Sequence, residues 1–146
     1  SEFFGRLKSI IGKEKEINIV GDRFVLQSEV FFESGSAKIQ SSGVVKVKEI
    51  TKILKSISKK IPKNIDWIIQ VEGHTDNIPI STIEFPSNWE LSTSRAIAVA
   101  KIMMDNGIPS DKITVTGYGE YKPLVSNKNA KNREKNRRIE LKLTQP

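Results

Sequence analysis

The residues with the greatest capacity for chemistry fall in three short strings. Glu72, His74 and Asp76 alternate at the end of a strand-like run, a pattern that would gather two carboxylates and an imidazole for metal binding or acid–base work. Asn88, Ser92 and Arg95 recur at helical spacing a little further on, and Arg137 precedes a second alternating run, Ile139, Leu141 and Leu143. His74 is the single histidine and there is no cysteine, which removes thiolate nucleophiles, disulfides and Cys-ligated zinc and leaves a serine-type mechanism with one available base. The nucleophile-elbow, H-E-x-x-H and Walker-type patterns are all missing, and Gly117-Tyr118-Gly119 is too short a glycine signal to mean nucleotide binding. These observations predict a protein that is not an enzyme and holds neither metal nor cofactor. The competing reading is a hydrolytic enzyme using His74 with Glu72 or Asp76.

Arg95 carries a sharper expectation. Seven residues advance a helix by 700°, so Arg95 returns above Asn88, and its followers Ala96, Ile97, Ala98 and Val99 are all apolar. A guanidinium enclosed in such surroundings needs an anionic partner. Asp76, at the preceding strand end, is the nearest acid in the expected topology. One reading is a structural Asp76–Arg95 ion pair. The other is a site in which Arg95 takes a ligand carboxylate and Asp76 a ligand ammonium, with Asn88 and the first amides of the helix adding fixed donors, so that a zwitterion is recognised and no bond is broken. Arg137, in register with Ile139 and Leu141, is expected to point inward at the sheet edge.

The elements that must position these residues are legible from periodicity. Residues 22–32 read as a first strand, broken by Glu33-Ser34-Gly35-Ser36. Val44, Val47, Ile50, Leu54, Ile57 and Ile61 form the apolar stripe of a helix over 42–61, with Lys46, Lys48, Lys52, Lys55 and Lys59 off it. Ile65, Trp67, Ile69 and Val71 alternate as a strand ending at Gly73. Ser87-Asn88-Trp89-Glu90 is a capping box opening a helix that stops at Asn106-Gly107 and Pro109. Ile113 and Val115 begin a third strand, and a short helix over 129–135 leads into the last. The order β-α-β-α-β-(α)-β predicts an α/β (α+β) two-layer sandwich, a mixed four-stranded sheet with helices on one face. Residues 3–11 read as a short amphipathic lead-in, placing a linker at 1–20 and the domain at 21–146.

A chain of 146 residues suits one domain with a buried core. Its net charge of +7 is unevenly placed. Residues 38–63 hold eight lysines and one glutamate, residues 122–142 eight basic and two acidic residues, so these segments carry +7 and +6 and leave −6 for the rest. Neither segment interleaves aromatics among its cations, which argues against nucleic acid as a partner. The lysine-rich helix is most simply a solvated face, with an acidic protein partner as the alternative. No run approaches the roughly 20 apolar residues of a membrane helix. The chain starts without Met and reads as a fragment of a longer, anchored protein.

Gly73-His74-Thr75-Asp76, Asn88-Trp89-Glu90-Leu91-Ser92 with Arg95-Ala96, Gly117-Tyr118-Gly119-Glu120 with Pro123, and Asn136-Arg137-Arg138-Ile139-Glu140 occur in that order. Together they resemble the OmpA C-terminal-like domain over about residues 21–143. The resemblance implies noncovalent binding of peptidoglycan through the diaminopimelate of its stem peptide. The implied ligand residues are Asp76, Arg95, Asn88, Thr75, Leu91 and Arg137. It also implies a periplasmic location and a parent attached to the inner or outer membrane, and suggests a homodimer. Asp76-Asn77-Ile78-Pro79-Ile80 followed by Phe85-Pro86-Ser87-Asn88 is most similar to the MotB-type branch, whose members anchor flagellar stators to the wall. Many OmpA-like domains have glycine soon after the aspartate, where this chain has Ile78-Pro79.

Overall fold

The computed structural model describes residues 17–20 and 23–146. The expected amphipathic lead-in at 3–11 lies outside them. The elements are β1 (Ile17–Val20), β2 (Arg23–Gln27), α1 (Ser28–Phe31), α2 (Ser41–Ser58), β3 (Ile68–His74), α3 (Asn88–Asp105), a 3-10 turn (Ser110–Lys112), β4 (Ile113–Gly117), α4 (Ala130–Asn136) and β5 (Arg138–Thr144). They build the expected mixed sheet, in the order β1-β2-β5-β3-β4. Its single parallel pair is β3 and β4, and β1 is an added edge strand beyond the four read from periodicity.

Alternation along the strands sends one set of side chains toward the helices. Phe24, Leu26, Ile69, Val71, Ile139 and Leu141 from the sheet meet Val47, Ile50 and Leu54 of α2 and Ala96, Val99, Ala100 and Met103 of α3 in one core. Helix α3 begins where Ser87 accepts a hydrogen bond from the Trp89 amide, and ends at Asn106, with Gly107 at φ +107° turning the chain so that Ile108 is buried. The β3-α3-β4 crossover brings the helix N-terminus to the carboxyl ends of both strands.

Two features depart from the alternation argument. The first strand stops at Gln27, because the Ser28 amide donates to the Arg137 carbonyl (3.0 Å) and Phe32 N–H closes a helical turn on the Ser28 carbonyl (2.8 Å). That turn, α1, swings Glu29 away from the sheet. The second departure is that β3 and β5 bury both faces: Glu72, His74, Arg138 and Glu140, read as the polar faces of half-buried strands, are almost fully enclosed.

Candidate ligand-binding site

The site is shaped first by two glycines. Gly73 and Gly117 are register partners at the ends of β3 and β4. A Cβ on Gly73 would collide with the Ser92 carbonyl, and one on Gly117 with Thr93, so only glycine lets the first turns of α3 settle onto the strand ends. Asn88, Leu91 and Arg95, on one stripe of α3, thereby stand beside Thr75 and Asp76, which leave β3. All five, with Arg137, Glu29 and Phe32, line one open cavity of about 470 Å³.

The charges in it pair differently from the sequence expectation. Asp76 does not bridge to Arg95. Its Oδ2 takes Arg137 Nη1 at 2.6 Å, and its Oδ1 accepts the Ile78 amide at 2.9 Å. Arg137 donates its Nε to Glu29 at 2.6 Å, and these two carboxylate bonds raise its pKa although burial opposes its charge. Arg137 can reach both acids because it caps α4 immediately before β5, and α1 has turned Glu29 toward it.

Arg95 is 4% exposed and stands over the Phe32 ring, 5.0 Å from its centroid. Its Nε donates to the Ser36 carbonyl (2.8 Å) and its Nη2 to the Glu33 carbonyl (3.2 Å), so it holds the 33–36 turn. Among the described residues no carboxylate lies in contact with it. Burial lowers its pKa to about 10; Glu29 and Asp76 pull it up from a distance and Arg137 pushes it down, and the group remains a cation at neutral pH. A guanidinium oriented by backbone carbonyls and lacking a contacting anion, on the wall of a cavity, has the chemistry to accept an anionic group. Asn88 stabilises the rim by donating Nδ2 to the Ile78 carbonyl at 3.1 Å, and Thr75 N–H donates to the Gly119 carbonyl at 2.9 Å.

The Glu72, His74 and Asp76 cluster does not form. A strand alternates, so Glu72 and His74 share one face, but the chain leaves the sheet after His74 and carries Asp76 into the cavity, which neither of the others lines. Glu72 and His74 instead converge with Glu140 on the sheet face away from the core, near enough to suit a metal ion. The carboxylates there are taken by arginines. Arg23 donates to Glu72 and to Glu140, Arg138 Nε donates to Glu140 at 2.5 Å, and Gln70 donates to Glu72 at 2.5 Å. His74 Nε2 is 3.4 Å from Glu72, and its ring stacks on Tyr118 at 5.0 Å. Burial opposes the Glu72 charge, yet the bonds from His74 and Arg23 hold its pKa below the usual carboxylate value. With both acids bonded to guanidinium groups and His74 only 3% exposed, the three residues stand as a buried ion-pair network among the described residues.

Sequence reasoning missed Glu29 and the role of the 33–36 turn, and also the network members Arg23, Arg138 and Glu140. The signals were faint: a polar break in an apolar run for Glu29, and charged residues at alternate positions of otherwise apolar strands for the network. On the other side of the molecule Lys48, Lys52, Lys55 and Lys59 line a groove with Ser56 and Asn106, and no acid is part of its wall.

Comparison with known proteins bears on what these features amount to. Residues 31–137 match the OmpA family. The chain belongs to the OmpA family. Motility protein B of Bacillus subtilis (strain 168) is 40% identical over 129 residues, covering 88% of this chain and 47% of that protein. The periplasmic domain of Helicobacter pylori MotB superposes with a TM-score of 0.74 at 28% identity, covering 88% of this chain and 80% of that one. The cell wall anchor of the T6SS from Pseudomonas aeruginosa gives a TM-score of 0.78 at 27% identity, covering 98% and 97%. This OmpA-family chain, similar to MotB proteins, spans about half the length of the curated relatives it matches. Among the described residues no helix is long and apolar enough to cross a membrane.

Proposed function

We propose that this domain, which takes in β1 (Ile17–Val20) ahead of the expected start at 21, tethers a membrane-anchored parent to the cell wall by binding the diaminopimelate of the peptidoglycan stem peptide without catalysis. The observation that carries the reading is Arg95: a buried cation whose Nε and Nη2 are held by turn carbonyls, on the wall of a cavity that Asp76 also lines. The distal end of diaminopimelate is a carboxylate and an ammonium on one carbon. Arg95 takes the carboxylate, and Asp76 takes the ammonium while keeping Arg137 as its second partner, which a carboxylate with two oxygens can do. Arg137 adds positive charge for the other stem-peptide carboxylates. Asn88 and Thr75 border the bound group, Leu91 packs on its aliphatic part, and the α3 amides face it.

Wall attachment is supported by the likeness to the T6SS cell wall anchor, and a periplasmic setting by the likeness to the MotB domain. The 40% identity to a motility protein favours anchoring of a flagellar stator as the parent's role. The test is calorimetric titration with a muropeptide containing meso-diaminopimelate beside the same peptide with lysine there, which lacks the distal carboxylate. Tight binding of the first and weak binding of the second is expected. Equal affinities, or no binding of either, would overturn the reading. Release of soluble fragments from purified sacculi would favour the enzyme instead.

A further inference from the structure

Trp89 and Tyr121 stack on one another at 5.0 Å between centroids and 24° between planes, yet they stay 49% and 59% exposed. Mutual stacking covers part of each ring and leaves about half of each side chain in water, apolar area whose burial by a ligand would be favourable. The pair is also rigidly placed. Trp89 sits in the first turn of α3 with its amide donating to Ser87 Oγ (3.2 Å), and the Tyr121 amide donates to the Tyr118 carbonyl (3.2 Å). Beneath the rings lies Gly119 at φ +60°, where a Cβ would just touch both. Its amide donates to Ser92 Oγ (3.0 Å), and its carbonyl accepts from Thr75. The floor under the aromatics is therefore bonded to the cavity wall, and Asn88 of that wall is the residue before Trp89.

We propose that Trp89 and Tyr121 form a platform for the glycan strand, on which the apolar C–H face of an aminosugar ring lies while its stem peptide descends into the cavity; this rests on the stem-peptide reading above. The neighbouring chemistry selects a neutral sugar. Glu90 adjoins Trp89, and Glu120 and Lys122 stand on either side of Tyr121, so no cationic cluster is there to hold anionic lipid or nucleic acid, while two rings are far too small an area for a stable protein interface, which needs roughly 800 Å² per partner. Sugar hydroxyl and acetamido groups can remain in water at the rim, so stacking is gained with little polar desolvation.

The test uses the whole chain with three probes: the free stem tripeptide ending in meso-diaminopimelate, the same tripeptide on N-acetylglucosaminyl-N-acetylmuramic acid, and that disaccharide alone with its lactyl carboxyl capped as the methylamide, so that it is neutral as in the conjugate. The wild-type protein should bind the conjugate about 3- to 10-fold more tightly than the free peptide. In Trp89→Ala and in Tyr121→Ala the two affinities should become equal, and Trp89→Phe should restore part of the difference. On a Trp67→Phe background the disaccharide alone should change the fluorescence of Trp89. Equal affinity for conjugate and peptide in the wild type, or the full gain surviving in both alanine variants, overturns the platform while leaving the peptide site standing. If neither peptide binds, the stem-peptide reading fails, and the disaccharide arm decides the platform: a saturable fluorescence change supports it and none refutes it.

Discussion

Replacing Arg95 by alanine separates its two roles. The folded protein loses two charge-assisted hydrogen bonds to the Ser36 and Glu33 carbonyls and the contact over Phe32. Both carbonyls belong to a surface turn, so water can replace the donor, and removal of a buried cation partly offsets the loss. A net cost of about 1–3 kcal/mol follows, or about 3–10 °C in Tm for a domain of this size. Arg95 therefore also stabilises the fold, through the 33–36 turn. Binding changes in a different way. If Arg95 holds the distal carboxylate, wild-type protein prefers the diaminopimelate peptide over the lysine peptide by about 30- to 150-fold, the worth of about 2–3 kcal/mol. Arg95→Ala should bind both peptides alike, at about the wild-type affinity for the lysine form. Arg95→Lys, which keeps the charge but loses the fork, should recover a small part of the preference. Calorimetry with both peptides reads the ratio directly, and thermal unfolding run in parallel confirms that the variant is folded. A folded Arg95→Ala that keeps the wild-type ratio would refute the assignment, whatever its absolute affinity.

Asp76→Asn makes a contrasting prediction: both peptides carry the ammonium, so both should weaken by about 10-fold or more with their ratio preserved, as titration would show. Arg138→Ala leaves Glu140 directly opposite Glu72 across β3 and β5 with one fewer guanidinium, and urea unfolding should show a loss of about 3–5 kcal/mol that Arg138→Met with Glu140→Leu largely recovers. Gly73→Ala forces a Cβ against the Ser92 carbonyl, so α3 must lift from the strand end; a loss of about 2–4 kcal/mol is expected together with loss of muropeptide binding, both visible in one ligand-dependent melting series. Because the folded pKa of Glu72 lies below its unfolded value of about 4.5, its contribution is present above that pH and is lost as pH falls through the folded value. Stability should therefore decline below about pH 4.5, and Glu72→Gln should be less stable at pH 7 and lose less on acidification.

The sequence by itself determined the layer architecture and which candidate residues to look for. Period-3.6 and period-2 patterning named α2, α3, β3 and β5, because burying a stripe or a face is a local demand that shows in spacing. Helix geometry and register singled out Asp76, Asn88, Arg95 and Arg137, and the family resemblance added Thr75 and Leu91; all six line one cavity, where a βαβ crossover brings a helix start to a strand end. What only the tertiary structure decided was which charge meets which. Asp76 pairs with Arg137, 61 positions away, because α4 and β5 return the chain to the end of β3, and Glu29 joins them because Ser28 bonds to the Arg137 backbone and curls α1. Alternation likewise made Glu72, Arg138 and Glu140 look solvent-facing. Only the pairing of β2, β5 and β3 brings Arg23 across to both glutamates, and ion pairs between distant segments leave no periodic trace in a sequence.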